Sequence, residues 1–257
     1  MVYTMPITQR LKKLVKSLHQ KQFRDQNGLY VAEGEKIAKE LLKSENLPEL
    51  IIIRESPTSD VQDIVSYYGD KGIAVYSAPK HMFDQLTDTK TPQSILSIVT
   101  IPQEPELDDS SFIALDGIAD PGNVGTIIRT ADWFGINQVI LGRDCADIYN
   151  PKTVRSTMGS IFRVKVRYEP LLSEFIRDNF KGHKIFAADL SSSNSMESLK
   201  VPKKFGIIFG SESHGISNEV KSIVSNDFII PGTGSAESLN VAVSAGITLY
   251  YFSKKLK

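Results

Sequence analysis

Cysteine is nearly missing from this chain of 257 residues, with Cys145 as its single instance. That excludes an intrachain disulfide and a cysteine-cluster metal site. A lone cysteine of this kind reads as a small buried side chain with no catalytic role. Long apolar runs are missing too. Nothing approaches the ~18 residues that span a bilayer, and residues 1–9 lack the basic-then-apolar order of a signal peptide, so a cytoplasmic protein with no membrane partner is expected. Neither charge is in excess, because 30 basic residues balance 30 acidic ones. Such a balance argues against a protein that coats nucleic acid with its whole surface. Histidines are few, at 19, 81, 183 and 214, and their spacing suggests no metal site.

The shortage of histidine decides an early question. FGSESHG, residues 209–215, follows the apolar run Phe205–Ile208 and precedes a helical stretch expected over Ile216–Val224. Small residues two before and two after Ser213 resemble a nucleophile elbow. In the α/β-hydrolase order an acid and then a histidine follow the serine, but no histidine lies beyond residue 214. This order excludes the α/β-hydrolase plan, although other triads run in other orders.

What is present is a soluble globular composition, 41% hydrophobic and 23% charged, with charge unevenly placed along the chain. Residues 1–43 hold nine basic side chains (Arg10, Lys12, Lys13, Lys16, Lys21, Arg24, Lys36, Lys39, Lys43) against four acidic ones (Asp25, Glu33, Glu35, Glu40). Residues 150–184 hold eight (Lys152, Arg155, Arg163, Lys165, Arg167, Arg177, Lys181, Lys184) against three (Glu169, Glu174, Asp178). Each region reads as a solvated face or as a phosphate-binding surface.

Periodicity divides the chain in two. Leu11, Leu14, Val15 and Leu18 follow helical spacing, and strand-like runs fall at Leu29–Ala32, Leu50–Ile53, Ile73–Tyr76 and Ser94–Thr100. A stretch with two prolines and four acids, Ile101–Ser111, then reads as a linker. Beyond it, strands are expected near Phe112–Asp116, Gln138–Leu141, Lys184–Asp189, Phe205–Phe209 and Asp227–Pro231, alternating with helices. The fold class is therefore α/β: a small N-terminal α/β domain over residues 1–104 and a C-terminal domain with a mostly parallel sheet over 105–257.

Three glycine-bearing turns of the second unit stand where strands end, which is where open α/β sheets bind ligands. The first runs from Asp116 to Gly125 and leads into a helix carrying Arg129; the second is FGSESHG; the third runs from Ile230 to Asn240 into a helix through Tyr250 whose apolar side includes Leu239, Val243 and Ile247. No turn has the G-x-G-x-x-G spacing with a following acid that a dinucleotide fold requires, and none has the lysine of a P-loop.

Together the turns resemble the three signature motifs of the SpoU/TrmH family of RNA 2′-O-ribose methyltransferases. Asn123, Gly125 and Arg129 match the first motif; Gly210, Glu212 and Gly215 the second; and Ile230-Pro231, Gly234, Ser238, Leu239 and Asn240 the third. The pattern departs at Gly232, where many members carry methionine. The first 100 residues resemble the family's N-terminal RNA-binding extension, related in shape to certain ribosomal proteins, on Tyr30–Gly34 and Thr91–Ser94. The resemblance implies a deep trefoil knot, a homodimer, structured RNA as partner (ribosomal RNA ahead of transfer RNA) and S-adenosylmethionine as methyl donor, without a metal. It implies cofactor contacts from Gly210, Ile230, Pro231, Gly234 and Leu239, with adenine and ribose held mainly through backbone, and catalytic roles for Asn123, Arg129, Glu212, Ser238 and Asn240.

Each carry-over has a plainer counterpart. Asn123 would then support a turn or cap the Arg129 helix, Ser238 would be a helix N-cap, Asn240 a solvent-facing helix residue and Glu212 an ion-pair partner. At the level of function, the alternatives are a non-catalytic RNA-binding protein that keeps the fold, and a nicotinamide-dependent oxidoreductase, which would need the missing fingerprint.

Overall fold

The computed structural model describes residues 4–255, and its contacts divide the chain into two compact units. Unit 1 is Met1–Gln103 together with Tyr149–Phe162; unit 2 is Glu104–Ile148 together with Arg163–Lys257.

Unit 1 runs β1 (Met5–Pro6), α1 (Gln9–Ser17), α2 (Lys21–Asn27), β2 (Leu29–Glu33), α3 (Glu35–Leu41), β3 (Pro48–Arg54), α4 (Ser59–Asp70), β4 (Ala74–Ala78), α5 (Lys80–Phe83) and β5 (Ile95–Thr100). The sheet order is β1-β4-β3-β5-β2, with β5 antiparallel to both β2 and β3. Successive strand side chains point to opposite faces, and both faces of β3 are covered. Ile52 faces Leu11, Val15 and Leu18, whereas Ile51 and Ile53 face Val61, Ile64, Val65 and Tyr68. This double cover is why the strand reads as an unbroken apolar run instead of alternating. The helices start where side-chain oxygens cap them: Thr8 accepts from Leu11 N at 3.2 Å, and Thr58 from Val61 N at 3.4 Å.

The unit is completed by a segment distant in sequence, α7 (Pro151–Thr157). Val154 is fully buried with Tyr30, Ala32, Ile37, Leu41 and Val99, and the Tyr149 ring lies 4.8 Å from that of Tyr30. The buried Glu33 carboxylate accepts from Thr89 Oγ1, Gln93 N and Arg155 Nη1 at 3.0, 3.2 and 3.0 Å. Tyr30–Gly34 and Thr91–Ser94, noted separately in the sequence, are thus joined by hydrogen bonds.

Unit 2 contains β6 (Phe112–Asp116), α6 (Pro121–Trp133), β7 (Gln138–Leu141), β8 (Lys165–Tyr168), α8 (Leu172–Asn179), β9 (Lys184–Ala188), β10 (Phe205–Gly210), α9 (Asn218–Lys221), β11 (Asn226–Phe228) and α10 (Val241–Lys255). All six strands are parallel, in the order β11-β9-β10-β6-β7-β8. One face of the sheet packs Ile113, Leu115, Ile207 and Phe209 under α6 and α10, and the other packs Phe112, Ala114, Ile140 and Ile208 under α8 and α9.

Two strands were not expected, and two expectations change. Strand β1 has only two residues, too few for a periodic signal. Strand β8 lies at the sheet edge and alternates charged with apolar side chains, so Lys165 and Arg167 registered in the sequence only as charge. The helix expected over Ile216–Val224 shortens to α9, because Ile216 turns into the core and Ser217 caps the helix after it. In α10 the core-facing residues are Val241, Ala242, Ala245, Leu249 and Phe252, whereas Val243 and Ile247 are exposed on the helix and Leu239 is exposed in the segment before it.

Candidate active site

Strand order places the site. From β6 the chain continues to β7 on one side, whereas from the neighbouring β10 it continues to β11 on the other. Adjacent parallel strands whose connections diverge leave a crevice beyond their carboxyl ends. Asp116 and Gly210 are paired in register at those ends, so the first and second turns leave the sheet side by side.

The second turn is tight. Ser211 and Gly215 exchange backbone hydrogen bonds of 3.0 and 2.9 Å, and Gly215 has φ +65°, a left-handed conformation that favours glycine. A Cβ on Gly210 would fall 2.3 Å from the Gly215 carbonyl carbon. Glycine is thus required at 210 so that the turn can close on its own backbone, a reason distinct from the approach of a purine. The turn carries Glu212 outward, while Ser213 and His214 bond to each other at 2.7 Å.

The first turn enters α6 through Asp120, whose side chain accepts from Asn123 N at 2.9 Å, with Pro121 at the first helical position. Asp120 is the cap that sequence reasoning passed over, although an acid followed by proline is a recognisable helix start. Asn123 is therefore free of the capping role considered for it, and its amide donates to Glu212 Oε1 at 3.2 Å.

The third turn closes the cluster. Asn240 Nδ2 donates to Asn123 Oδ1 and to Glu212 Oε1, both at 3.0 Å, and Val241 N reaches the same Glu212 oxygen at 3.4 Å. The Asn240 side-chain oxygen accepts from Ala242 N at 3.0 Å and Val243 N at 3.3 Å, so Asn240, not Ser238, caps α10. The carboxylate of Glu212 sits at the positive end of a 15-residue helix, which favours an anion. One residue from each turn thus meets the other two through side chains.

The remaining candidates are placed differently. Arg129 lies on the exposed side of α6, about 120° around the helix from Asn123, and no hydrogen bond or ion pair among the described residues ties it to the cluster. Ile230 is half-buried, and Pro231, Gly234, Ser238 and Leu239 are exposed in the segment before α10. No backbone hydrogen bond among the described residues takes up the N–H or C=O groups of 231–239. A run of open main-chain donors and acceptors beside a polar cluster fits a ligand with a purine edge, ribose hydroxyls and an amino-acid end.

Cys145 lies near the first turn, accepting from Ile118 N at 3.4 Å and donating to Leu115 O at 3.2 Å. Burial pushes its thiol up to about 11. It is protonated at neutral pH and supplies no nucleophile. Among the described residues no group of three or more His, Cys, Asp or Glu is arranged to hold a metal, and no helix is long and apolar enough to cross a membrane.

Fold and site define a parallel-sheet α/β protein whose polar cluster stands in the crevice where such sheets hold ligands. Residues 110–250 match the SpoU rRNA Methylase family, and residues 9–97 match the MRM3-like substrate binding domain. The chain is 33% identical over 236 residues to the 23S rRNA (guanosine(2553)-2'-O)-methyltransferase RlmP of Bacillus subtilis, a match covering 92% of this chain and 93% of that protein. The AdoMet-bound rRNA methyltransferase of Sinorhizobium meliloti is similar at a TM-score of 0.85 and 27% identity, over 99% of this chain and 98% of the other. The SpoU methyltransferase AviRb of Streptomyces viridochromogenes, in complex with AdoMet, shares the fold at a TM-score of 0.83 and 21% identity, over 96% and 98% of the two chains. The chain belongs to the SpoU rRNA methylase family.

Proposed function

We propose that this chain transfers a methyl group from S-adenosylmethionine to a ribose 2′-hydroxyl of ribosomal RNA. The observation that carries the reading is the meeting of Asn123, Glu212 and Asn240, one from each strand-end turn. When bound, S-adenosylmethionine supplies an activated methyl group. The open backbone of Ile230, Pro231, Gly234 and Leu239, with the strand end at Gly210, would hold it. Glu212 and Asn240 fix the start of α10 and with it the loop before the helix.

Arg129 grips the phosphate next to the target ribose and steadies the negative charge that develops on the 2′-oxygen as the methyl group arrives and the hydroxyl proton passes to solvent. A guanidinium is planar, presents paired donors and stays charged, which suits it to a clamp and not to a base. Ser238 orients the hydroxyl. Because the methyl donor is already activated, alignment of the reactants and exclusion of water supply most of the rate.

Residues 1–104 serve as the RNA-binding part and 105–257 carry methyl transfer, in a cytoplasmic enzyme. The return of the chain from β11 to α10, packed on α6 and β10, supports a knotted C-terminal segment. A homodimer is supported by apolar side chains left in solvent on α6 and α10: Trp133 is 84% exposed and Tyr250 54%, beside exposed Val243 and Ile247. A monomer by light scattering at tens of micromolar would sink the dimer.

Isotope-labelled S-adenosylmethionine, protein-free ribosomal RNA and mapping of 2′-O-methyl sites test the activity. Calorimetry distinguishes the non-catalytic alternative, since micromolar binding, about 8 kcal/mol, is expected. A folded chain that gives no heat with S-adenosylmethionine and no labelled RNA would refute the reading.

A further inference from the structure

We propose that the exposed face of α1 grips the phosphate backbone of the substrate RNA, an inference that rests on the RNA methyltransferase reading and gives it a surface. Within Gln9–Ser17 lie Arg10, Lys12, Lys13 and Lys16 and no carboxylate. Leu11 and Val15 bury the opposite side in the core, so Arg10, Lys13 and Lys16 face solvent and Lys12 lies at the margin.

Clustering sets this face apart within unit 1. Lys36, Arg54 and Lys90 also take part in no ion pair among the described residues, but they stand singly on α3, at the end of β3 and in the loop before β5. Other lysines are paired. Lys21 pairs with Asp25, Lys39 with Asp60, Lys43 with Glu40 and Lys80 with Asp84. None of the four cations of α1 takes part in an ion pair or side-chain hydrogen bond among the described residues. The carboxylate near the end of the helix is engaged, since Asp88 holds His19 Nδ1 at 2.6 Å.

The arrangement works against the helix that carries it. Arg10 and Lys13, Lys13 and Lys16, and Lys12 and Lys16 are like charges three or four residues apart, the spacing at which they repel. Arg10 and Lys12 also stand near the positive end of the helix dipole. A polyanion relieves both penalties, and α1 presents its cations over about 9 Å of helix, enough to meet more than one phosphate. An anionic lipid surface would also attract lysines, but an interfacial helix inserts its apolar side, and here that side is committed to the core.

The test compares Lys12→Gln/Lys13→Gln/Lys16→Gln with Lys39→Gln/Lys43→Gln/Lys80→Gln, which changes the charge equally at paired lysines. Binding of a protein-free 23S ribosomal RNA transcript is followed from 50 to 300 mM KCl, where each phosphate that is no longer neutralised lowers the log–log slope by about 0.7–0.9. The α1 variant is expected to lose about two to three units of slope and to raise KM for RNA at least tenfold. Its kcat at saturating RNA and its S-adenosylmethionine calorimetry are expected to stay unchanged. The control is expected to keep its slope, and Lys12→Arg/Lys13→Arg/Lys16→Arg to regain it. An unaltered slope in the α1 variant, an equal loss in the control, or loss of binding to phosphatidylserine vesicles with RNA binding intact would overturn the proposal. If the unsubstituted chain neither binds S-adenosylmethionine nor methylates RNA while the α1 slope loss persists, the enzymatic reading fails and the phosphate grip stands.

Discussion

Asn240 Nδ2 lies 3.0 Å from Asn123 Oδ1 and 3.0 Å from Glu212 Oε1, while the oxygen of the same amide caps α10. One side chain therefore does two jobs that a single substitution can part. Asp caps a helix about as well as Asn, so Asn240→Asp keeps the cap but puts a carboxylate where a donor stood, against Glu212. Loss of a hydrogen bond to a charged group costs about 1.5–3 kcal/mol, so a fall in S-adenosylmethionine affinity and turnover of about tenfold to a hundredfold is expected. Asn240→Ala loses the cap as well, and its melting temperature should fall below that of Asn240→Asp. Wild-type turnover in Asn240→Asp would show that the amide is only a cap.

Arg129 is exposed, and exposed substitutions usually change stability by less than about 0.5 kcal/mol. Arg129→Ala should melt as the wild type does and bind S-adenosylmethionine, yet lose roughly a hundredfold to a thousandfold of turnover, as when one donor to a developing oxyanion is removed. Arg129→Lys separates clamp from base, because lysine keeps the charge without the planar fork and releases its proton near pH 10.4. A clamp leaves the slow Arg129→Lys rate flat between about pH 8 and 10. A climb confined to that variant in single-turnover methyl transfer would assign Arg129 to proton abstraction.

Gly210 and Gly232 should respond oppositely to a methyl group. The Cβ of alanine at 210 would lie 2.3 Å from the Gly215 carbonyl carbon, whereas at 232 nothing stands within 4 Å. Overpacking costs about 1–3 kcal/mol, and each kcal/mol lowers Tm by about 2–4 °C in a chain of this size. Gly210→Ala should therefore melt several degrees lower, and Gly232→Ala at or slightly above the wild-type temperature. Thermal denaturation followed by circular dichroism measures both, and equal melting of the two variants would contradict the turn geometry.

Cys145 provides a pH prediction. Its thiol is raised to about 11 chiefly by burial, so folding favours the neutral form. The stability this supplies is complete below the ordinary thiol pKa and is lost as pH rises through about 11. Iodoacetamide should react with the folded chain at pH 8 at least a hundredfold more slowly than in urea, because only the thiolate attacks. Equal rates in the two states would show that the thiol is not held this way.

The strands whose faces are both buried were legible from the sequence because their apolar runs are unbroken, as in Phe205–Phe209. The charged edge strand β8 was not, because its side chains carry no such run. The partners of the site were legible as three separate turns; their junction was not, since Asn123 and Asn240 stand 117 residues apart and only strand order brings them together. Periodicity put Leu239, Val243 and Ile247 on the apolar side of one helix. Val243 and Ile247 do share a side of α10, but it is the exposed one and Leu239 precedes the helix. Which side meets the core depends on α6 and β10, which the pattern of α10 does not encode. Sequence also offered no sign that α7 packs with the first hundred residues, because Val154 reads as an ordinary buried valine wherever its cover comes from.

That displaced segment has a consequence for how the chain is made. Tyr30, Leu41 and Val99 share their cluster with Val154, and the buried Glu33 carboxylate takes one of its three donors from Arg155. During synthesis from the N-terminus, at about 5–20 residues per second, the first hundred residues leave the ribosome several seconds before the residues that finish their core. In that interval a hydrophobic patch and a buried acid wait for chain that has not been translated. The N-terminal unit is thus the first to start folding, but it cannot finish until β6, α6 and β7 of the other unit have already emerged.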